Sequence, residues 1–203
     1  MVPTEIEQDR TVTTADRRRV LALPGSLRQR SFNRLLLGAA KQYAPPSMIV
    51  EVYDALPTIP LFNEDLEEAM QFGPEAAHQL RARVDAADGL LIATPEYNQS
   101  IPGVLKNVID WLSRPTPKEV LVGKPIAIMG VTRGQWGTRL AQSALRHTLY
   151  ATESRVMPTP SVFLREADKL FNETGQLINE STIDLLAAFM TSFDTWITDM
   201  RSK

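Results

Sequence analysis

Short apolar runs in this chain alternate with longer segments whose apolar residues recur every three or four positions, and few folds accommodate that pattern. The runs RVLALP (19–24), SMIVEVYD (47–54), GLLIATP (89–95) and GKPIAIMGV (123–131) read as strands, and RVMPTPSVFL (155–164) as a short fifth. Between and after them, SFNRLLLGAAKQYA (31–44), PEAAHQLRARVDAA (74–87), IPGVLKNVIDWLSR (101–114), TRLAQSALRHTLYAT (138–152) and ESTIDLLAAFMTSFDTWITDM (180–200) read as helices. Pro74 opens one helix and Pro102 lies in the first turn of another, where proline is tolerated. The run GLLIATP lacks polar alternation, as expected of a central parallel strand covered on both faces. Strands alternating with helices imply right-handed βαβ units and a parallel sheet with helices on both faces. No repeat or linker interrupts residues 19–203, so they read as one domain.

Composition narrows the function. The formal net charge of −2 leaves no basic surplus for neutralising nucleic-acid phosphates. With no cysteine, the chain has no disulfide, thiolate nucleophile or cysteine–zinc site, and His78 and His147 are too few and too far apart for a histidine-rich metal site. Both histidines read as surface or packing residues. No apolar run approaches the roughly 20 residues that span a bilayer. Residues 1–18 lack the apolar segment of a secretory signal and read as a polar extension, disordered in part, with a cytoplasmic setting expected.

In such sheets ligands bind beyond the carboxyl ends of the strands, so the loops there carry the search. The first is PGSLRQRSFNR (24–34). Gly25 permits a tight turn, and Ser26, Arg28, Ser31 and Asn33 crowd the start of a helix. Free N–H groups and the helix dipole favour an anion there. Neither G-x-G-x-x-G nor G-x-x-x-x-G-K-[ST] is present, which points away from a dinucleotide pyrophosphate or a nucleoside triphosphatase and toward a terminal phosphate monoester. The alternative is that Ser31 caps the helix and the arginines are solvated.

The second loop, TPEYNQSIPG (94–103), sets Tyr97 between Glu96 and Asn98 with prolines on either side. A rigid turn with an aromatic face and amide groups suits a flat heteroaromatic ring; a turn in which Asn98 and Pro95 serve backbone geometry is the alternative. A phosphate loop on the neighbouring strand favours the ligand, since a mononucleotide would span both.

The stretches GSLRQRSFNR and PEYNQSIPGVLKNVIDWLSR resemble the signature segments of the NADPH-dependent FMN reductase family, a flavodoxin-like group that includes quinone, azo-compound and chromate reductases. The resemblance covers roughly residues 19–165. It implies a doubly wound parallel five-stranded sheet in the order 2-1-3-4-5, with FMN as cofactor and NADPH or NADH as co-substrate. Carried over residue by residue, it implies that Ser26, Leu27, Arg28, Ser31, Phe32 and Asn33 cradle the FMN phosphate and that Pro95, Glu96, Tyr97 and Asn98 contact the isoalloxazine ring.

The third loop, MGVTRGQWGTRLAQ (129–142), also resembles a family loop that lies against the flavin. Thr132 keeps the hydroxyl and Gly134 the glycine, with Gly137 and Gln142 also matching. Arg133 stands where many relatives carry proline. The family's arginine falls at Leu140, with Arg139 one step earlier and about 100° round the helix. Trp136 is either a packing residue or an aromatic wall over the substrate site. The acidic run NEDLEEAM (63–70) reads as a solvated loop or frayed helix; in the family this region flanks the flavin edge and contributes to dimer contacts. Lys106 and Asp110 read as an ordinary i, i+4 pair.

The expected function is transfer of hydride from NAD(P)H to bound FMN and on to a quinone, azo, nitroaromatic, flavin or metal-oxyanion acceptor, with no side-chain acid or base required. The partner is then a small-molecule acceptor, with neither nucleic acid nor membrane involved. The family likeness implies a homodimer or homotetramer. Two alternatives stay open: a flavodoxin-like FMN electron carrier or redox sensor without its own NAD(P)H site, and a phosphate-binding α/β protein without flavin.

Overall fold

A computed structural model describes residues 17–114 and 118–201. The polar extension expected at 1–18 therefore lies, up to residue 16, outside the described residues. Strand β1 (Arg18–Pro24) begins at Arg18 because that side chain is engaged: its guanidinium donates to both carboxylate oxygens of Asp194, to Oδ2 at 2.6 Å. Ser47 Oγ donates to the same carboxylate at 2.7 Å.

The remaining strands are β2 (Met48–Val52), β3 (Gly89–Ala93), β4 (Pro125–Val131), β5 (Arg155–Val156) and β6 (Val162–Leu164). All pairings are parallel, and the order is β2-β1-β3-β4-β5, with β6 also paired to β4. This is the 2-1-3-4-5 order of a flavodoxin-like fold. The fifth strand differs from expectation in being two pieces, which makes the sheet six-stranded. Pro158 and Pro160 lie between the pieces and have no N–H for a ladder.

The helices are α1 (Phe32–Gln42), α2 (Glu64–Ala69), α3 (Glu75–Ala86), α4 (Gly103–Leu112), α5 (Arg139–Tyr150), α6 (Ala167–Leu170) and α7 (Glu180–Arg201). The acidic run thus contains a formed helix, α2. Asn63 Oδ1 accepts from Asp65 N at 2.9 Å, and Glu64, Asp65 and Glu67 occupy the positive end of its dipole. Lys106 pairs with Asp110 as the spacing predicts.

Alternation along the strands divides the core in two. Val20, Ala22, Leu91, Ala93, Ala127 and Met129 face α1 and α7 with Leu36, Phe189 and Phe193. Leu21, Leu23, Leu90, Ile92, Ile126 and Ile128 face α3, α4 and α5 with Leu80, Leu105 and Leu145. Burying one such side chain contributes about 1.5–3 kcal/mol. Both faces being sealed, the loops at the carboxyl ends of β1, β3 and β4 are where polar groups emerge together.

Candidate functional site

The loop after β1 is held against the loop after β3. Gly25 N donates to Ala93 O at 2.8 Å, and a side chain on Gly25 would come within 3.1 Å of Ala93 O, of Pro95 Cδ and of Thr94 Cα. Glycine is required there by close approach. Ser26 and Ser31 are buried, whereas Leu27, Arg28 and Arg30 are exposed. Ser26 Oγ accepts from Arg28 N at 3.3 Å, leaving its proton to donate elsewhere. Ser31 occupies the N-cap of α1 in extended conformation and makes no side-chain cap bond. The N–H groups of Phe32 and Asn33, in the first helical turn, have no intrahelical carbonyl. Among the described residues Arg28 and Arg30 form no ion pair. Hydroxyls, amide N–H groups and unpaired guanidiniums at one helix start make a donor set for a phosphate.

Asn33 has a further duty. Its Nδ2 donates to Val131 O at 2.9 Å, and its Oδ1 accepts from Val131 N at 3.0 Å, with the side chain buried. It ties α1 to the end of β4 and keeps one amide hydrogen for a ligand. The ring of Phe32 is also engaged, 5.8 Å from Phe171 on one side and under the Arg133 guanidinium, 5.3 Å away, on the other. What Phe32 offers a ligand is its N–H.

In the second loop Tyr97 and Ser100 exchange two backbone hydrogen bonds of 3.0 Å around Asn98 and Gln99, whose φ values are 49° and 64°. Positive φ at both central residues makes a tight hairpin of the type I′ kind, unusual for a non-glycine pair and costing backbone strain. It presents the Tyr97 ring, 47% exposed, at the mouth of the site. Asn98 therefore does serve backbone geometry, while its side chain stays exposed. Pro95 packs toward Gly25, and its carbonyl accepts from Thr94 Oγ1 at 2.8 Å. Glu96 Oε2 accepts from Leu140 N at 2.9 Å and Ala141 N at 3.1 Å, so that carboxylate closes the amino end of α5.

The third loop leaves β4 at Thr132, whose N–H donates to Leu164 O and whose hydroxyl accepts from Gly134 N at 3.3 Å. Gln142 Nε2 reaches Thr138 Oγ1 at 2.9 Å and Val162 O at 2.8 Å, fixing α5 to β6. Gly130 in β4 leaves no room for a side chain, which would run into Thr138 Oγ1 and lie 2.5 Å from Thr94 O. Sequence reasoning did not single out Gly130, although an isolated glycine within an apolar strand signals close approach. It also missed the capping by Glu96, for which a carboxylate in a loop carries no local signal. Trp136 is 80% exposed, which rules out the packing role for it in this chain. Arg133 pairs with Asp168 at 3.1 Å, and Arg139 lies over the Phe163 ring at 4.8 Å. His78 and His147 lie away from these loops on α3 and α5, and no group of three metal-ligating side chains occurs among the described residues.

A parallel sheet in this order, with a phosphate-type helix start and an aromatic hairpin on adjacent strands, defines a flavodoxin-like nucleotide-binding protein. The chain belongs to the NADPH-dependent FMN reductase family, whose model matches residues 18–169. It is 40% identical over 183 residues to an NAD(P)H-dependent FMN reductase of Pseudomonas aeruginosa, spanning 90% of this chain and 97% of that one. It is 37% identical over 183 residues to a 2-hydroxy-1,4-benzoquinone reductase of a Burkholderia species, covering 90% and 98%. Among solved structures, FerB, a flavoenzyme NAD(P)H:(acceptor) oxidoreductase from Paracoccus denitrificans, superposes with a TM-score of 0.82 at 31% identity, covering 90% of this chain and 98% of that one.

Proposed function

We propose that this chain is an FMN-dependent NAD(P)H oxidoreductase of the quinone reductase type, acting on small acceptors: quinones, azo compounds, nitroaromatics, free flavins or metal oxyanions. When bound, the flavin supplies the chemistry by taking hydride from NADPH or NADH and passing it on. The protein supplies position and charge. The observation that carries the reading is a phosphate-type donor set on β1 beside a rigid aromatic hairpin on β3, with the Ser31 side chain making no cap bond to its own helix. Ser26, Leu27, Arg28, Ser31, Phe32 and Asn33 hold the phosphate, by hydroxyl, N–H and guanidinium donors. Pro95, Glu96, Tyr97, Asn98, Thr132 and Gly134 border the ring: Tyr97 offers an aromatic contact, the exposed Asn98 amide and the Thr132 hydroxyl proton would donate to the ring edge, and Glu96 fixes the hairpin. These preorganised donors would stabilise negative charge on a bound ring without a side-chain acid.

The functional domain begins at Arg18, one residue earlier than the sequence suggests, because that residue opens β1 and pairs with Met48. Exposed Leu61 and Phe72, on and beside the segment that carries α2, give apolar surface for a second copy of the chain, so the active form is a homodimer or homotetramer; its setting is the cytoplasm. No helix among the described residues is long and apolar enough to cross a membrane. A flavodoxin-like electron carrier would bind the same cofactor, but a net charge of −2 gives little of the acidic field that docking carriers use.

The purified protein should be yellow and bind FMN stoichiometrically by calorimetry. Anaerobic mixing with NADPH or NADH should bleach the flavin within seconds, and a quinone should restore the colour. Bleaching by neither nucleotide would leave the carrier reading standing, and a colourless protein that refuses FMN would remove both.

A further inference from the structure

The groups assigned to FMN run in one direction along the sheet edge: phosphate donors after β1, then ring contacts after β3 and β4. The next position outward is a solvent-open cleft of about 690 Å³, lined by Gln135, Trp136, Gly137, Arg139, Phe163 and Arg165. Such a volume lies in the ~300–1,000 Å³ range of small-molecule sites. Its floor is Phe163 of β6, which pairs in register with Gly130 of β4 and points to the face opposite Val162 and Leu164. Its wall is Trp136, whose ring is almost wholly exposed.

Two cations border this aromatic cleft without ion pairs. Arg139 stacks on Phe163, and neither Arg139 nor Arg165 has a carboxylate within ion-pair distance among the described residues. The nearby acids are bonded elsewhere: Asp168 to Arg133, Glu166 to Lys169, although it also feels the neighbouring Arg165 charge, and Glu96 to the amino end of α5. Several other arginines are spent, as in Arg18 with Asp194, Arg83 with Glu51 and Arg114 with Glu67. An aromatic wall flanked by two unpaired guanidiniums recognises a flat ring joined to a compact anion.

We propose that this cleft binds the adenosine 2′-phosphate end of NADPH: the adenine stacks on Trp136, and Arg139 and Arg165 grip the 2′-phosphate. The proposal rests on the FMN oxidoreductase reading and adds to it the site that selects NADPH over NADH. The chemistry of the cleft favours a dinucleotide over a quinone. A neutral quinone has no anion for two unpaired guanidiniums to meet, whereas a nucleotide phosphate does. A dinucleotide with its nicotinamide on the flavin continues past the third loop and reaches the cleft. A guanidinium beside the ribose is a general means of accepting a 2′-phosphate.

The test uses the FMN-loaded protein and two probes, adenosine 2′,5′-bisphosphate and AMP, which differ only by the 2′-phosphate. Calorimetry should give tighter binding of the bisphosphate by about tenfold or more, the factor a charge-assisted hydrogen bond carries. R139Q and R165Q should each reduce that ratio about tenfold or abolish it, R139K should retain part of it, and W136A should weaken both probes. In turnover, the NADPH-to-NADH ratio of kcat/KM should fall in parallel. Equal affinity for the two probes in the unaltered protein, or a ratio that survives both glutamine substitutions, overturns the proposal. So does a rise in quinone KM with the nucleotide ratio intact, which gives the cleft to the acceptor. Failure of the underlying reading looks different: the loaded flavin is bleached by neither NADPH nor NADH.

Discussion

Glu96 and Leu140 are joined by a hydrogen bond of 2.9 Å from the backbone N–H of Leu140 to Oε2, although the residues belong to loops that follow different strands. A carboxylate at the positive end of α5, bonded also to Ala141 N, does the work of a helix cap from outside the helix, where Thr138 makes no side-chain cap bond. The same bond anchors the hairpin that displays Tyr97.

Removing that anchor has a double effect. E96A should lower unfolding free energy by about 1 kcal/mol, the usual cost of a lost cap, and should weaken FMN binding by loosening the hairpin. E96Q keeps a carbonyl acceptor and should recover most of the stability. Urea unfolding of flavin-free protein together with a fluorescence titration of FMN separates the two effects.

Ser31 and Asn33, two residues apart, should respond differently to alanine. Ser31 makes no side-chain cap bond, so S31A should change the stability of flavin-free protein by no more than about 0.5 kcal/mol. Its FMN affinity should fall about tenfold or more, the factor for a hydrogen bond to a charged group. Asn33 satisfies both backbone groups of Val131, so N33A should cost about 2–3 kcal/mol in unfolding before any cofactor is added.

Gly130 tolerates no side chain. G130A drives a methyl group into Thr138 Oγ1 and to 2.5 Å from Thr94 O, and overpacking of this kind costs about 3 kcal/mol or more. Adding T138A should restore only part of the loss, because the Thr94 carbonyl belongs to the backbone and stays. Denaturant midpoints of the single and double variants check this.

One surface pair shapes the acid limb of stability. The ammonium of Lys118, 2.7 Å away, holds the Asp85 carboxyl below its ordinary value, mainly through their hydrogen bond. A carboxyl whose folded pKa is depressed adds stability that is whole above its unfolded pKa and is lost as pH falls through the folded one. D85N should therefore lose a few tenths of a kcal/mol at pH 7, the scale of an exposed pair, and should converge on the parent protein once the pH has fallen below the depressed folded value. Urea midpoints at both pH values read the difference.

Much of the fold was legible because burial leaves a periodic trace. Runs such as Leu90–Ala93 and Ile126–Val131 read as central strands, and helices with one apolar face lie over them. The break between Val156 and Val162 was harder to read, since its prolines are compatible with a strand edge or a bend until the pairing partner is known. In the site, the first loop was readable from helix-start chemistry and the second from its turn residues. The capping of α5 by Glu96 and the seat of Arg139 were not. Their partners, Leu140 and Phe163, are distant in sequence, and such contacts exist only after the sheet has brought the loops together. Asn33 looked like a ligand group alone because its bonds to Val131 span a still longer stretch of chain.

Gly25 to Ala93, Asn33 to Val131 and Glu96 to Leu140 link all three loops by bonds internal to the chain. The mouth of the site is thus assembled by the polypeptide itself and does not wait for a guest to draw it closed. Stripping the nucleotide should leave a shaped receptacle, one that refills by simple mixing and accepts flavin analogues of matching outline without refolding.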